Sequence, residues 1–298
     1  MKLLLASLVL AIAGMLYPPI RLSALVLVGR SPSCPFTQAV KSEDFQRRKI
    51  QLKDEILAKS KVIGEDGELE HWQTPRGNFW VEKESRYGLP FHLAEQQLRI
   101  YGTQNHWIKP GDVVLDCGAN IGTVTREALS AGASKVIAIE PAPENLECLR
   151  RNFAPEIASG KVIVYAKGVW DKEDWLQLHV HRDNAAADSF VIPSDKSTTT
   201  AEKLPLTTID KMVEELKLER VDFIKMDIEG AEPKALAGAK ATLAKYHPKL
   251  SISVYHAPDH PETVPRVIRD AWPGYRMECG PCAVVDNARI RPDVLYFH

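Results

Sequence analysis

Between Val113 and Thr125 the chain runs VVLDCGANIGTVT: a short apolar run, a carboxylate at Asp116, then glycines at 118 and 122. The KPGD turn at 109–112 delivers Val113–Leu115 as a run with no polar side, the pattern of a strand buried on both faces. A helix is expected to follow Gly122 and to stop near Gly132. Lacking a Cβ, Gly118 and Gly122 would let a ligand approach the backbone at the strand's mouth.

The same alternation continues on either side. HLAEQQLRIY sets Ala94, Leu98 and Tyr101 at helical spacing, KVIAIE is a second strand, and PENLECLRRNF puts Leu146, Leu149 and Phe153 on one helical face. KVIVYA is a third strand, and TTIDKMVEEL opens with a Thr207/Asp210 capping pattern. VDFIKMD and KLSISVY are further strands, separated by a helix on which Leu236, Ala239, Leu243 and Tyr246 align, and DVLYFH is the last candidate. Strands alternating with helices predict an α/β fold with a parallel sheet covered on both faces.

Ligands of such sheets sit at the carboxyl ends of the strands, where the strand order reverses. The loop GANIG, with Gly118, Asn120 and Gly122, lacks the GxGxxG spacing that cradles a pyrophosphate. Asp116 just ahead of it would repel a pyrophosphate and suits a ligand with an ammonium group, as S-adenosylmethionine has. Glu140, at the tip of the second strand, is placed to accept ribose hydroxyls, and Gly168 and Val169 in AKGVW to meet an adenine edge.

Together, VVLDCGANIGTVT, AIEPAPENLECLRRNF, DFIKMDIEGAE and SVYHAPD resemble the FkbM-type S-adenosylmethionine-dependent methyltransferases, over residues 86–298. KMDIEGAE is the most discriminating piece, since the first motif is shared by many methyltransferase classes. The resemblance implies a Rossmann-like class I methyltransferase: a seven-stranded, mostly parallel sheet with helices on both faces and an antiparallel last strand. It also implies methyl transfer to oxygen, often a hydroxyl of a sugar or polyketide.

Methyl transfer from a sulfonium to an alcohol needs in-line alignment and a home for the alcohol's proton. KMDIEGAE sets Asp227 at the tip of the fourth strand, with Glu229 and Glu232 in the following turn. Two options stand: one acid is a base with a pKa raised by its neighbours, or two of them hold a divalent metal. Asp227 is thus assigned to both catalysis and cofactor contact, with Lys225 able to pair with one acid. His256, past the fifth strand in VYHAPDH, is expected to reach the same crevice, where histidine suits proton removal near neutral pH. The loop 181–190 offers Asn184, Asp188 and Ser189, while Trp170, Trp175 and Phe190 read either as an acceptor pocket or as core.

The 298 residues carry a net charge of −1 and no strongly basic stretch, so nucleic acid is not an expected partner and the acceptor is a small molecule or glycan. Five cysteines form no disulfide framework, and CGPC (279–282) lacks the strand–helix setting of a redox motif and reads as a turn between late strands. Residues 1–30 are hydrophobic: Leu3–Ile20 carries no charge and reads as a membrane anchor through residues 3–29, or as a signal peptide with export. An anchored domain is expected on the cytoplasmic face. Residues 31–85 read as a charged helical linker, and 86–298 as the methyltransferase domain. The rival functions are a nicotinamide-dependent oxidoreductase, which the missing GxGxxG disfavours, and a non-catalytic module that binds an adenosyl ligand.

Overall fold

The computed structural model describes residues 17–181, 184–193, 197–200 and 202–298. At its centre lie β1 (Val113–Cys117), β2 (Lys135–Ile139), β3 (Val162–Tyr165), β4 (Phe223–Met226), β5 (Lys249–Ser253), β6 (Met277–Cys279) and β7 (Val294–Phe297). They form one seven-stranded sheet in the spatial order 3-2-1-4-5-7-6. Neighbours from β3 to β5 pair in parallel, and β7 runs antiparallel between β5 and β6. β6 escapes sequence reading because its three residues contain no apolar run.

Side-chain alternation divides the core between the sheet's two faces. Val114, Val136, Val162 and Phe223 pack on one side. Leu115, Ile137, Ile224, Leu250 and Ile252 pack on the other. After β3 the chain returns to place β4 on the opposite side of β1, so a crevice opens at the carboxyl tips of β1 and β4.

The register across that reversal sets the site. Lys225 lies opposite Asp116 and Met226 opposite Cys117. Asp227 therefore leaves the sheet beside Gly118, its N–H donating to the Cys117 carbonyl at 3.1 Å. A Cβ on Gly118, which has φ +74°, would lie 1.9 Å from the Asp227 carbonyl oxygen. The glycine is demanded by two strand tips in contact. Gly122, at φ +94° ahead of the helix Thr123–Ser130, is likewise crowded from behind: its Cβ would lie 2.1 Å from the Phe153 ring.

The N-terminal region departs from the expected helical linker. The helix Ser42–Ala58 buries Leu52 and Ile56, but Lys61–Asp66, Leu69–Thr74 and Gly77–Glu82 form an antiparallel three-stranded sheet. The turn TPRG and the inward Phe79 and Val81 produce it, and its core continues into Leu89, Leu93 and Ile121. A further helix, Pro18–Leu27, starts on two prolines, which its first turn accommodates because no N–H is needed there; Leu22 is fully buried. Residues 3–16 of the expected anchor lie outside the described residues. Among the described residues no helix is long and apolar enough to cross a membrane.

Gly160 shares the left-handed backbone, at φ +73°, but has open space around it. Gly160→Ala is expected to cost about 1–2 kcal/mol, and Gly122→Ala about 1–3 kcal/mol more for displacing Phe153; urea unfolding of both variants measures the difference.

Candidate active site

Two cavities open at the crevice. The first is lined by Ile139, Val169, Leu178 and Phe190, with Glu140 and Asp188 among its polar groups. The second, about 390 Å³, is lined by Tyr87, Phe91, His92, Glu95, Gln96 and Tyr255 among others. Gly118, Asn120, Ala186, Asp227 and Glu229 line both. Of the residues expected at the site, Gly118, Asn120, Glu140, Gly168, Val169 and Asp227 line these cavities; Gly122 lines neither.

Glu140 is nearly fully buried. It accepts hydrogen bonds from the backbone N–H of Asn120 at 2.8 Å and of Ala142 at 2.9 Å. The Gly118 and Ala119 N–H groups both donate to the Ile139 carbonyl, so the loop is fastened to the β2 tip. Asn120 sits at φ +51° within that loop. Burial raises the Glu140 pKa against its hydrogen bonds. A carboxylate has about four lone-pair directions, so capacity remains for a ligand hydroxyl.

Asp116 takes a different place from the expected one. It is fully buried and lines neither cavity. One oxygen accepts from the Thr125 hydroxyl at 2.7 Å, and the other faces the Lys225 ammonium at 3.3 Å. The contact with a ligand ammonium is therefore corrected: the charge of Asp116 is spent on a neighbouring strand. Lys225 also donates to the Gly118 carbonyl at 2.7 Å and the Cys117 carbonyl at 3.2 Å.

Asp227, Glu229, Glu232 and His256 converge below the meeting point of the cavities. Asp227 accepts from the Tyr101 hydroxyl at 2.5 Å, and the Tyr255 hydroxyl lies 3.4 Å from its other oxygen. Glu232, fully buried, receives the Ile228 and Gly230 N–H groups and so braces the DIEG turn. Within that turn Glu229 sits at φ +52°, a conformation side chains rarely adopt, with the Ser189 hydroxyl donating to its carbonyl at 2.6 Å. His256 Nδ1 lies 2.9 Å from Glu232, and Nε2 lies 3.2 Å from Glu229 and 3.4 Å from Asp227.

Burial opposes a charge on His256, but Glu229, Glu232 and Asp227 outweigh it and hold the imidazolium up to about 11. His256 is thus a cation at neutral pH, and its expected role as proton acceptor is corrected. Burial likewise acts to raise Asp227, yet His256, Lys225 and the Tyr101 hydroxyl bring it below the usual aspartate value. Glu229 goes the other way: burial raises it, aided by Asp227 and Glu232 and opposed by His256. Their surroundings thus push the pKa values of these two neighbouring carboxylates in opposite directions. Asp227, Glu229 and His256 also bring ligand-type atoms within 4.8 Å of one another. A divalent cation there requires His256 to give up the proton that the acids hold on it.

Of the loop candidates, Asp188 lines the first cavity, Asn184 the second, and Ser189 supports Glu229. Burial, with Glu140 and Glu144, pushes the Asp188 carboxyl up to about 8. Phe190 lines the first cavity, while Trp175 is 59% exposed and Trp170 borders neither. Sequence reading missed Tyr101, Tyr255, His92, Glu95 and Gln96. Tyr255 stands directly before His256; Tyr101 had been given to a helix that ends at Leu98, with Arg99 left-handed at φ 53°.

The Methyltransferase FkbM domain model matches residues 116–276, more than half of the chain. The chain belongs to the FkbM methyltransferase family. Among curated relatives of this family member, the 2-O-methyltransferase NoeI of Sinorhizobium fredii is 28% identical over 151 residues, 46% of this chain and 61% of NoeI. The AMB antimetabolite synthetase AmbE of Pseudomonas aeruginosa is 28% identical over 185 residues, 49% of this chain and 8% of AmbE. The chain thus spans less than two thirds of either relative's length. The crystal structure of methyltransferase FkbM from Methylobacillus flagellatus aligns with 87% of this chain and 60% of its own, at 19% identity and a TM-score of 0.47.

A histidine whose pKa is raised on folding stabilises the native state fully below its unfolded value and loses that contribution as pH climbs to the folded one. Wild-type unfolding free energy is expected to fall between about pH 6.5 and 11, the ordinary and the shifted values of His256. In His256→Phe that falling limb is expected to vanish, with about 3–5 kcal/mol lost at pH 7 because three acids stay buried without their cation. Urea titrations across that range read both.

Proposed function

We propose that this methyltransferase moves a methyl group from S-adenosylmethionine to a hydroxyl of a sugar-bearing acceptor. One observation carries the reading: two cavities of different chemistry meet at Asp227 and Glu229, where the acids outnumber the single imidazolium. A surplus of buried negative charge attracts a cationic centre and disfavours a phosphate. The first cavity's donor set fits the nucleoside end: Val169, Leu178 and Phe190 offer an apolar slot, and Glu140 an acceptor for ribose hydroxyls. When bound, the sulfonium supplies an electrophilic methyl carbon.

The chain's own residues do the rest. Asp227, held by Tyr101 and Tyr255, keeps its charge beside the developing centre. Glu229, with its raised pKa, takes the acceptor's proton at a carboxylate oxygen, and His256 stabilises that carboxylate from below. Tyr87, Phe91 and Tyr255 with His92, Gln96 and Asn184 give the second cavity the mixture of rings and hydrogen-bonding groups that suits a sugar. The name of NoeI, which specifies transfer to oxygen, supports the same choice of atom. Membrane attachment belongs to this reading, supported by the uncharged Leu3–Ile20 stretch and by Leu27 and Val28, which are 83% and 70% exposed.

Calorimetry is expected to show S-adenosylmethionine binding and no heat with NAD, with Glu140→Ala weakening the first by about 1–3 kcal/mol, as for a lost hydrogen bond to a charged group. Heat with NAD instead would return the chain to the oxidoreductase reading. In a screen of glycan acceptors, Glu229→Gln is expected to lower kcat about 10²–10⁴-fold and to remove the rise of rate with pH that an ionising base produces. Cofactor binding with no methylated product from any hydroxylated acceptor would leave a ligand-binding module.

A further inference from the structure

The CGPC motif does lie in a turn between late strands: Cys279 ends β6, and Cys282 opens the strand Cys282–Val285, which pairs with Arg289–Pro292. It does not stand alone there. Cys34, on the N-terminal arm between the helices Pro18–Leu27 and Phe36–Ala39, is disulfide-bonded to Cys282 across 248 residues of sequence. The Cys279 thiol lies 3.6 Å from the Cys282 sulfur, and all three cysteines are buried. A disulfide that only staples the arm has no use for a third sulfur in contact with it.

We propose that Cys34, Cys279 and Cys282 form a thiol–disulfide exchange centre that covalently holds or releases the N-terminal arm. The Cys279 thiol gives up its proton and its sulfur attacks Cys282. A Cys279–Cys282 bond forms, the Cys34–Cys282 bond breaks, and Cys34 leaves as a thiolate that takes a proton. One disulfide and one thiol stand on each side, so no external oxidant or reductant is consumed. The two-residue spacing of CGPC is that of dithiol motifs whose cysteines pair with each other.

The surroundings suit a centre that is quiet until opened. Burial pushes the Cys279 thiol up to about 12, which leaves almost none of the attacking thiolate in the closed state. A surface groove lined by Gln38, Lys41, Phe45 and Arg99 reaches Cys279 and Cys282, so modest loosening of the arm admits water and brings two cations near the sulfurs. Apart from the disulfide, the arm is held by the Gln38 amide donating to the Cys279 carbonyl at 2.7 Å, the Ile290 N–H donating to the Arg30 carbonyl at 2.8 Å, and buried Leu22. After exchange only such non-covalent contacts remain.

The test uses the full chain, purified without reductant, trapped by acid and alkylation, and mapped by mass spectrometry. At neutral pH the Cys34–Cys282 pair is expected. In mild urea at about pH 9, where more thiolate forms, the Cys279–Cys282 pair is expected to accumulate without added thiol, Cys34 becomes alkylated, and trypsin cleaves at Arg30 about tenfold faster. Cys279→Ser should keep the original pair and its protease resistance under the same conditions, and Cys34→Ser, its two remaining thiols oxidised by dissolved oxygen during purification, should carry the Cys279–Cys282 bond from the outset. Equal behaviour of wild type and Cys279→Ser would overturn the proposal. So would stoichiometric zinc in the reduced protein that is lost in Cys279→Ser, which would make the three sulfurs a metal site.

Discussion

The ammonium of Lys225 is buried where β1 meets β4, surrounded by the Asp116 carboxylate and the Gly118 and Cys117 carbonyls. Taking such a charge out of water is tolerable only when its donors are filled, and removing one partner strands the other in the core. The pair therefore ties the parallel register of β1 and β4 to a specific match, Lys225 opposite Asp116. From that register the geometry of the crevice follows. Asp227 emerges beside Gly118, the glycine loop is drawn against the β4 tip, and the two cavities share a wall.

Above that platform the charges are arranged so that each acid has a different task. Glu232 is consumed by the turn it braces and by His256, so it is structural although it carries a charge. His256 is trapped as a cation between acids, and its effect is to let Asp227 and Glu229 stand close together without expelling one another. Strain at Glu229 is the cost of aiming that carboxylate at the shared wall, and the Glu232 bracket and the Ser189 hydroxyl hold it there. Preorganised charge of this kind needs little rearrangement during a reaction.

Much of this was readable from local pattern. Apolar strand cores, their alternation with helices and acids at successive strand tips predict the sheet, the crevice and the positions of Glu140, Gly168, Val169, Asp227 and Glu229. What failed was what depends on partners distant in sequence. Asp116 looks like a ligand-facing acid until the register supplies Lys225, 109 residues later. Tyr101 continues a helical spacing, yet the left-handed Arg99 ends the helix and turns the ring toward Asp227. The histidine read as a base is a cation because Asp227, Glu229 and Glu232, all from a motif more than twenty residues earlier, surround it. Cys34 and Cys282 are too far apart in sequence for any spacing rule, and β6 is too short for a periodicity.

The position of β7 carries a consequence for how the chain is made. It is synthesised after both β5 and β6, yet it fills the slot between them, and all four of its residues are buried. Until Phe297 has emerged, β5 presents an open ladder of N–H and C=O groups, the kind of edge that pairs with whatever strand is nearby. A nascent chain of this protein therefore carries an adhesive edge until β7 has been made, and a stop codon ahead of Val294 leaves that edge uncovered for good.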